Sequence, residues 1–264
     1  MKKFSAFIIA LMLLTSNVSA ALADTAEPRI IADGAAAGIV TVTYPVQEDI
    51  RIKVLVEKDG VKYYYNMIDS DETLPLQMGD GDYKITIYEN ITGSRYRAVL
   101  SDTVSVDLAE DKDVYLQSVQ SIEWNDSMKA ILKAQALTRG LKTDAEKVSA
   151  IHQYIVDNYS YDFAKISTMT SAYLPDVEQN FASRKGICYD FASLFAAMTR
   201  SVGIPAKLIK GYTPNAKGYH AWNEVYLNDQ WVTLDATYDA QMDDLGGKYT
   251  MIKDSDLYDK VYEY

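Results

Sequence analysis

The chain has 264 residues, with 26 Lys and Arg against 37 Asp and Glu, a formal charge of −11 and a composition 48% hydrophobic that includes 21 tyrosines. That balance repels phosphate backbones and anionic lipid at long range, so neither nucleic acid nor a membrane surface is an expected partner. The apolar content is that of a packed globular protein, long enough for one large domain or two ordinary ones.

Lys2 and Lys3 precede an apolar run from Phe4 to Leu14, and small residues follow at Val18-Ser19-Ala20 and Ala21-Leu22-Ala23. This is the pattern of an export signal removed after Ala23. The run is short for a bilayer, and no second long one follows. A protein secreted outside the cell or held at its envelope is expected, with no membrane segment after cleavage. Cleavage removes two lysines and no acid, taking the formal charge from −11 to −13.

From Ile39 to Leu108 apolar residues alternate in short runs. Ile50, Ile52, Val54 and Val56 share one face of a strand, with Arg51, Lys53 and Glu57 on the other. Asp59-Gly60 is a hairpin signal before Val61 to Met67, and Asp80-Gly81 precedes Tyr83 to Glu89, where Tyr83, Ile85 and Ile87 alternate with polar neighbours. Val104, Val106 and Leu108 repeat the pattern. Short strands with turns every ten residues or so predict a small β-sandwich over 24–118. It contains no cluster of His, Cys or paired carboxylates.

After about Trp124 the period changes. Met128, Ile131, Leu132 and Leu137 predict a helix, and Thr143-x-x-Glu146 is a capping box opening another through Val148, Ile151, Tyr154 and Ile155. The boundary is expected near residues 110 to 125, with a second domain over 119–264, giving an α+β chain. Residues 184 to 212, RKGICYDFASLFAAMTRSVGIPAKLIKGY, place Gly186 as a tight turn. An amphipathic helix from Cys188 follows, then a stop at Gly203-Ile204-Pro205 and a strand from Ala206 to Tyr212.

Cys188 is the single cysteine, so it forms no internal disulfide, and a free thiol in an exported protein is open to oxidation. A small buried apolar role is the common one. Its place at the first turn of a helix, however, sets it against unpaired N–H groups and the positive end of the dipole, which favour thiolate over thiol. That effect is worth roughly 0.3–1 kcal/mol, less than one pKa unit, so activation requires a histidine. Two exist, His152 and His220. His152 lies mid-helix beside Ile151 and reads as a surface or packing residue.

His220 opens YHAWNEVYLNDQWVTLDATYD, residues 219 to 239, which reads as two strands joined at Asn228-Asp229. An even loop pairs Tyr226 with Trp231, sets Trp222 opposite Asp235 and His220 opposite Thr237, and makes His220 and Asp235 diagonal neighbours that can hydrogen-bond. An odd loop would put Asp235 on the opposite face.

Three ordered blocks, Arg184-x-Gly186-x-Cys188 with Gly203-Ile204-Pro205, then His220-Ala221-Trp222-x-Glu224-Val225, then Trp231-x-x-Leu234-Asp235, resemble the transglutaminase-like superfamily of cysteine enzymes. The Tyr159-Ser160-Tyr161-Asp162 segment is similar as well. The resemblance spans roughly Thr143 to Tyr238 and implies a papain-like catalytic domain, a helix packed on an antiparallel sheet. It implies Cys188 as nucleophile on an amide carbonyl, His220 as proton carrier and Asp235 as its orienting partner, with a thioester acyl-enzyme resolved by water or by an amine. Ala236 departs from the proline that many members carry after the aspartate. The backbone N–H of Cys188 is a candidate oxyanion donor, and a second donor stays unassigned; Gln179 and Asn180 lie upstream at no diagnostic spacing. No cofactor is implied and no metal, since Asp80-Gly81-Asp82 and Asp243-Asp244 read as acidic turns rather than calcium loops. The expected substrate is a protein or a cell-wall peptide. The rival reading from another class is a catalytically silent peptide- or glycan-binding module using the same groove. The acidic tail from Asp254 to Tyr264 is expected to pack on the domain.

Overall fold

The computed structural model describes residues 27–45, 49–170 and 172–264, and the expected export segment lies outside the described residues. Seven strands come first: β1 (Arg29–Ile31), β2 (Ile39–Thr43), β3 (Ile52–Lys58), β4 (Val61–Met67), β5 (Asp71–Pro75), β6 (Gly81–Thr92) and β7 (Arg95–Val106). They form an antiparallel sheet ordered β1-β2-β5 and another ordered β4-β3-β6-β7. Alternation dictates which faces meet: Val40, Val42 and Leu74 from the first sheet share one apolar core with Val54, Val56, Ile85 and Ile87 from the second. Asp59 and Gly60 both take positive φ, 50° and 82°, and Lys58 pairs with Val61. This is the tight two-residue hairpin that an Asp-Gly pair favours.

Helices enter after Trp124. They are α1 (Lys129–Thr138) and α2 (Asp144–Asn158), then, beyond the short strand β8 (Ser160–Tyr161), α3 (Phe163–Ile166) and α4 (Val177–Ser183). The short strand β9 (Lys185–Gly186) leads into α5 (Cys188–Arg200). Next come β10 (Ala206–Tyr212), β11 (His220–Leu227), β12 (Gln230–Leu234), α6 (Ala236–Asp244) and β13 (Asp259–Glu263). The last four strands make one antiparallel sheet ordered β12-β11-β10-β13. The chain is thus a mixed α/β molecule with a β-rich N-terminal region, as its patterning predicts.

The predicted amphipathic helix at Cys188 is buried on nearly every side, from Tyr189 to Arg200. It is the central element of a second apolar core that also takes Ile131, Val148, Ile151, Leu208 and Val225. Asn223 of β11 ties helix to sheet, its side-chain amide donating to the carbonyls of Ala192 and Lys207, both at 2.9 Å. The tail packs as expected: β13 extends the sheet beside β10, and the Tyr264 ring meets Tyr63 and Tyr65 of β4 edge-on at 5.7 and 6.1 Å. Arg200, fully buried, donates to the carbonyls of Gln117, Ala206 and Tyr264, closing the helix end, the sheet and the connecting segment together.

Candidate active site

Three elements deliver the expected residues to one place. The hairpin takes the even-loop register: Tyr226 pairs with Trp231 and Leu227 with Gln230, across Asn228 and Asp229 at φ 50° and 61°. The ladder ends at Asn223 opposite Leu234, so Thr237 does not face His220 as a strand partner. Residues 236 onward turn into α6 instead, because Asp235 caps that helix, its Oδ1 accepting from the Tyr238 N–H at 3.0 Å. The expected second strand is therefore shorter than its sequence pattern suggested, and the aspartate sits at a strand-to-helix junction.

Asp235 Oδ2 accepts from His220 Nε2 at 2.8 Å and from the Tyr258 hydroxyl at 3.1 Å. Both oxygens are satisfied, which makes a buried carboxylate tolerable. Nε2 is taken by Asp235, and the Cys188 thiol lies close enough to the imidazole to act on it electrostatically. Burial alone would lower the basicity of His220, but the charge and hydrogen bond of Asp235, joined by Cys188, outweigh it and push its pKa up to about 10. Trp222 stacks on the imidazole at 6.2 Å, walling it from one side.

Cys188 is the first residue of α5 and is partly exposed. The helix entry is held by Asp190, whose carboxylate accepts from the Ile187 N–H at 2.9 Å, from Lys165 Nζ at 2.7 Å and from the Tyr173 hydroxyl. Gly186 serves this entry differently from the expected turn. A Cβ there would lie 2.6 Å from Asp190 Cβ, so glycine is needed for close approach, and the left-handed turn falls on Arg184 at φ 54°.

Two residues join the site that spacing alone did not assign. Tyr258 reaches Asp235 from the acidic tail. Tyr161, set beside Cys188 by the pairing of β8 with β9, is coupled electrostatically to the backbone N–H and the thiol of that residue. Burial, reinforced by Cys188, pushes the Tyr161 pKa up to about 12, so the phenol keeps its proton. Gln179 and Asn180 stay in α4, where the Asn180 amide donates to the Asp190 carbonyl at 2.7 Å. His152 is a packing residue: 2% exposed, bonded through Nε2 to Asp239 at 2.9 Å.

The arrangement opens on a cavity of about 450 Å³ lined by Cys188, His220, Met169, Tyr173, Lys210 and Tyr219, among others. A sulfur at a helix N-terminus, an imidazole against it and a satisfied carboxylate behind the imidazole are the parts of a nucleophile with a proton carrier.

Comparison with known proteins gives one family-model match and several distant likenesses. The family model of the transglutaminase-like superfamily matches residues 132–236. Kyphoscoliosis peptidase of Homo sapiens is 29% identical over 176 residues, 61% of this chain and 24% of its own length. Protein YebA of Bacillus subtilis is 28% identical over 164 residues, 52% of this chain and 21% of its own length. The chain thus spans about a quarter or less of the length of these curated relatives. Among solved structures, a candidate cysteine protease from Cytophaga hutchinsonii superposes with a TM-score of 0.48 at 18% identity, covering 86% of this chain and 76% of that one. The periplasmic domain of TgpA from Pseudomonas aeruginosa does so at 0.39 and 16%, covering 76% and 71%. The likeness to the transglutaminase-like superfamily lies in residues 132–236.

Proposed function

We propose that the chain is an exported cysteine enzyme that attacks amide bonds of proteins or cell-wall peptides through a thioester on Cys188. The observation that carries the reading is a buried His220, bonded to the Asp235 carboxylate, that lines with Cys188 a cavity opening to solvent. The name of the human relative, a peptidase, supports the same bond class.

In this reading the thiol proton passes to His220 as Cys188 Sγ attacks the amide carbonyl carbon, and the carbonyl oxygen, now an anion, accepts from the Cys188 N–H and the Tyr161 hydroxyl. The C–N bond then breaks as the His220 imidazolium gives its proton to the departing amine, leaving the thioester. Water or a second amine attacks the thioester, His220 takes the proton of that nucleophile, and the thiol is restored. Asp235 keeps its charge throughout, holding the ring in position and favouring the imidazolium. We read residues 24–118 as a β-sandwich unit and 119–264 as the catalytic unit, with the segment 1–23 as the export signal.

The test is incubation of the protein with a capped peptide library, with and without a labelled primary amine, followed by mass spectrometry. New peptide ends indicate proteolysis, Gln-to-Glu conversion indicates deamidation, and incorporated label indicates transamidation; Cys188→Ala abolishes all three. Binding of peptides without any turnover by the wild-type protein would overturn the enzymatic reading in favour of a silent binding module.

A further inference from the structure

Lys210 of β10 stands in the cavity beside Cys188 with its Nζ over two aromatic faces, 3.7 Å from the Tyr189 ring centre and 4.8 Å from that of Tyr264. It is mostly buried, yet among the described residues it meets no carboxylate. The other largely covered lysines do: Lys165 reaches Asp190 at 2.7 Å, Lys207 reaches Glu263 at 3.1 Å, and Lys253 reaches Asp239. Lys210 also lines a second, smaller cavity of about 110 Å³, whose walls include Tyr64 and Tyr65 of β4, Gln120 and Tyr264. It thus lines both the cavity at the thiol and one walled by residues of β4.

A buried ammonium without a carboxylate partner has lost hydration that ring faces restore only in part. Among the described residues its three donors find no hydrogen-bond acceptor to saturate them. An arriving carboxylate supplies both the charge and the acceptors, and the aromatic walls exclude the water that would weaken the pair. An amide oxygen supplies an acceptor and no charge.

Resting on the reading of Cys188 as an amide-attacking nucleophile, we propose that Lys210, flanked by Tyr189 and Tyr264, forms a carboxylate-binding subsite that selects substrates carrying a negative charge next to the amide attacked. The carboxylate belongs either to an acidic side chain or to a free chain end. Burial pushes the Lys210 pKa down to about 8, opposed by the charge at Cys188, so the side chain is still chiefly an ammonium at neutral pH.

The experiment uses capped hexapeptides differing only in Glu against Gln at one position, or in a free against an amidated end. Binding is read by calorimetry on the Cys188→Ala protein, where no turnover intervenes, and kcat/KM on the wild type. The carboxylate form of one pair is expected to bind roughly 10- to 100-fold tighter than its amide, the range for a charged hydrogen bond. The pair that shows the preference identifies the source of the carboxylate. Adding Lys210→Met collapses the ratio toward one, Lys210→Arg restores most of it, and thermal melts confirm that both variants fold. Equal affinity for both members of every pair, or a Lys210→Met protein that weakens both members alike with the ratio kept, overturns the subsite. Preference in binding with no turnover by the wild type overturns the proposed reaction and leaves the subsite standing; turnover without preference does the reverse.

Discussion

Two histidine–aspartate pairs lie in this molecule, with almost the same geometry and different surroundings. His220 and Asp235 approach to 2.8 Å, His152 and Asp239 to 2.9 Å, and all four side chains are buried. Both aspartates belong to one turn of chain, Asp235 capping α6 and Asp239 lying on it one turn later. The difference is in what closes each pair. Asp239 is also gripped by Lys253, and the His152 ring packs edge-on to Phe195 at 6.4 Å, so every direction from that imidazole leads into protein. The free nitrogen of His220 leads to a thiol and a cavity. A hydrogen-bonded imidazole and carboxylate are thus a structural joint until a third group and an opening are added.

The largest effects should separate the pairs outright. His220→Ala and Cys188→Ala are each expected to lower amide turnover about 10⁴-fold or more with the fold intact, checked by peptide cleavage and circular dichroism. His152→Ala should do the opposite. Leaving Asp239 Oδ2 without its donor costs about 1–3 kcal/mol, read as a lower denaturation midpoint, while kcat stays near that of the wild type. Should His152→Ala cost turnover as severely as His220→Ala in a protein that still folds, the distinction between joint and site fails.

Next in size is Tyr161→Phe, expected to lower kcat about 10²- to 10³-fold with KM little changed, since it removes a donor needed chiefly in the transition state. Asp235→Asn sharpens the comparison through pH. The folded pKa of His220, about 10, lies above its ordinary 6.5. The imidazolium therefore contributes stability in full below about 6.5, and that contribution is lost as pH rises through about 10. In the proposed reaction the same proton is given to the leaving amine, so the alkaline edge of the rate profile should fall near 10 and move downward in Asp235→Asn.

The parts of the site legible in sequence are those set by local chemistry. Hairpin register follows from the two-residue Asn228-Asp229 loop, and the position of Cys188 follows from the helical spacing of Phe191, Leu194, Phe195 and Met198. Four features were hidden, two because they depend on contacts between distant segments and two because a local contact overrides the pattern that the neighbouring residues suggest. Tyr161 meets Cys188 only because β8 pairs in parallel with β9, and Tyr258 meets Asp235 only because the tail folds back beside β10. Gly186 reads as a turn residue when its neighbours are unknown, whereas its constraint is Asp190 across a close approach. The start of α6 was masked because Thr233, Leu234 and Thr237 fit a strand, and only the cap formed by Asp235 ends it.

The smallest effect tests whether His152 holds α2 in place or merely fills it. Thr143 accepts from the Glu146 N–H at 3.2 Å and Glu146 accepts from the Thr143 N–H at 2.9 Å, a reciprocal cap on exposed residues at the start of that helix. Thr143→Ala should cost about 1 kcal/mol, a fall of roughly 2–4 °C in Tm for a chain of this size. The cap and the buried joint to Asp239 lie more than two helical turns apart and share no partner, so their losses should add in the double variant with His152→Ala. A double variant losing clearly more than the sum would mean that the cap orients α2 for the joint, and that the joint is part of what keeps α6, and with it Asp235, in place.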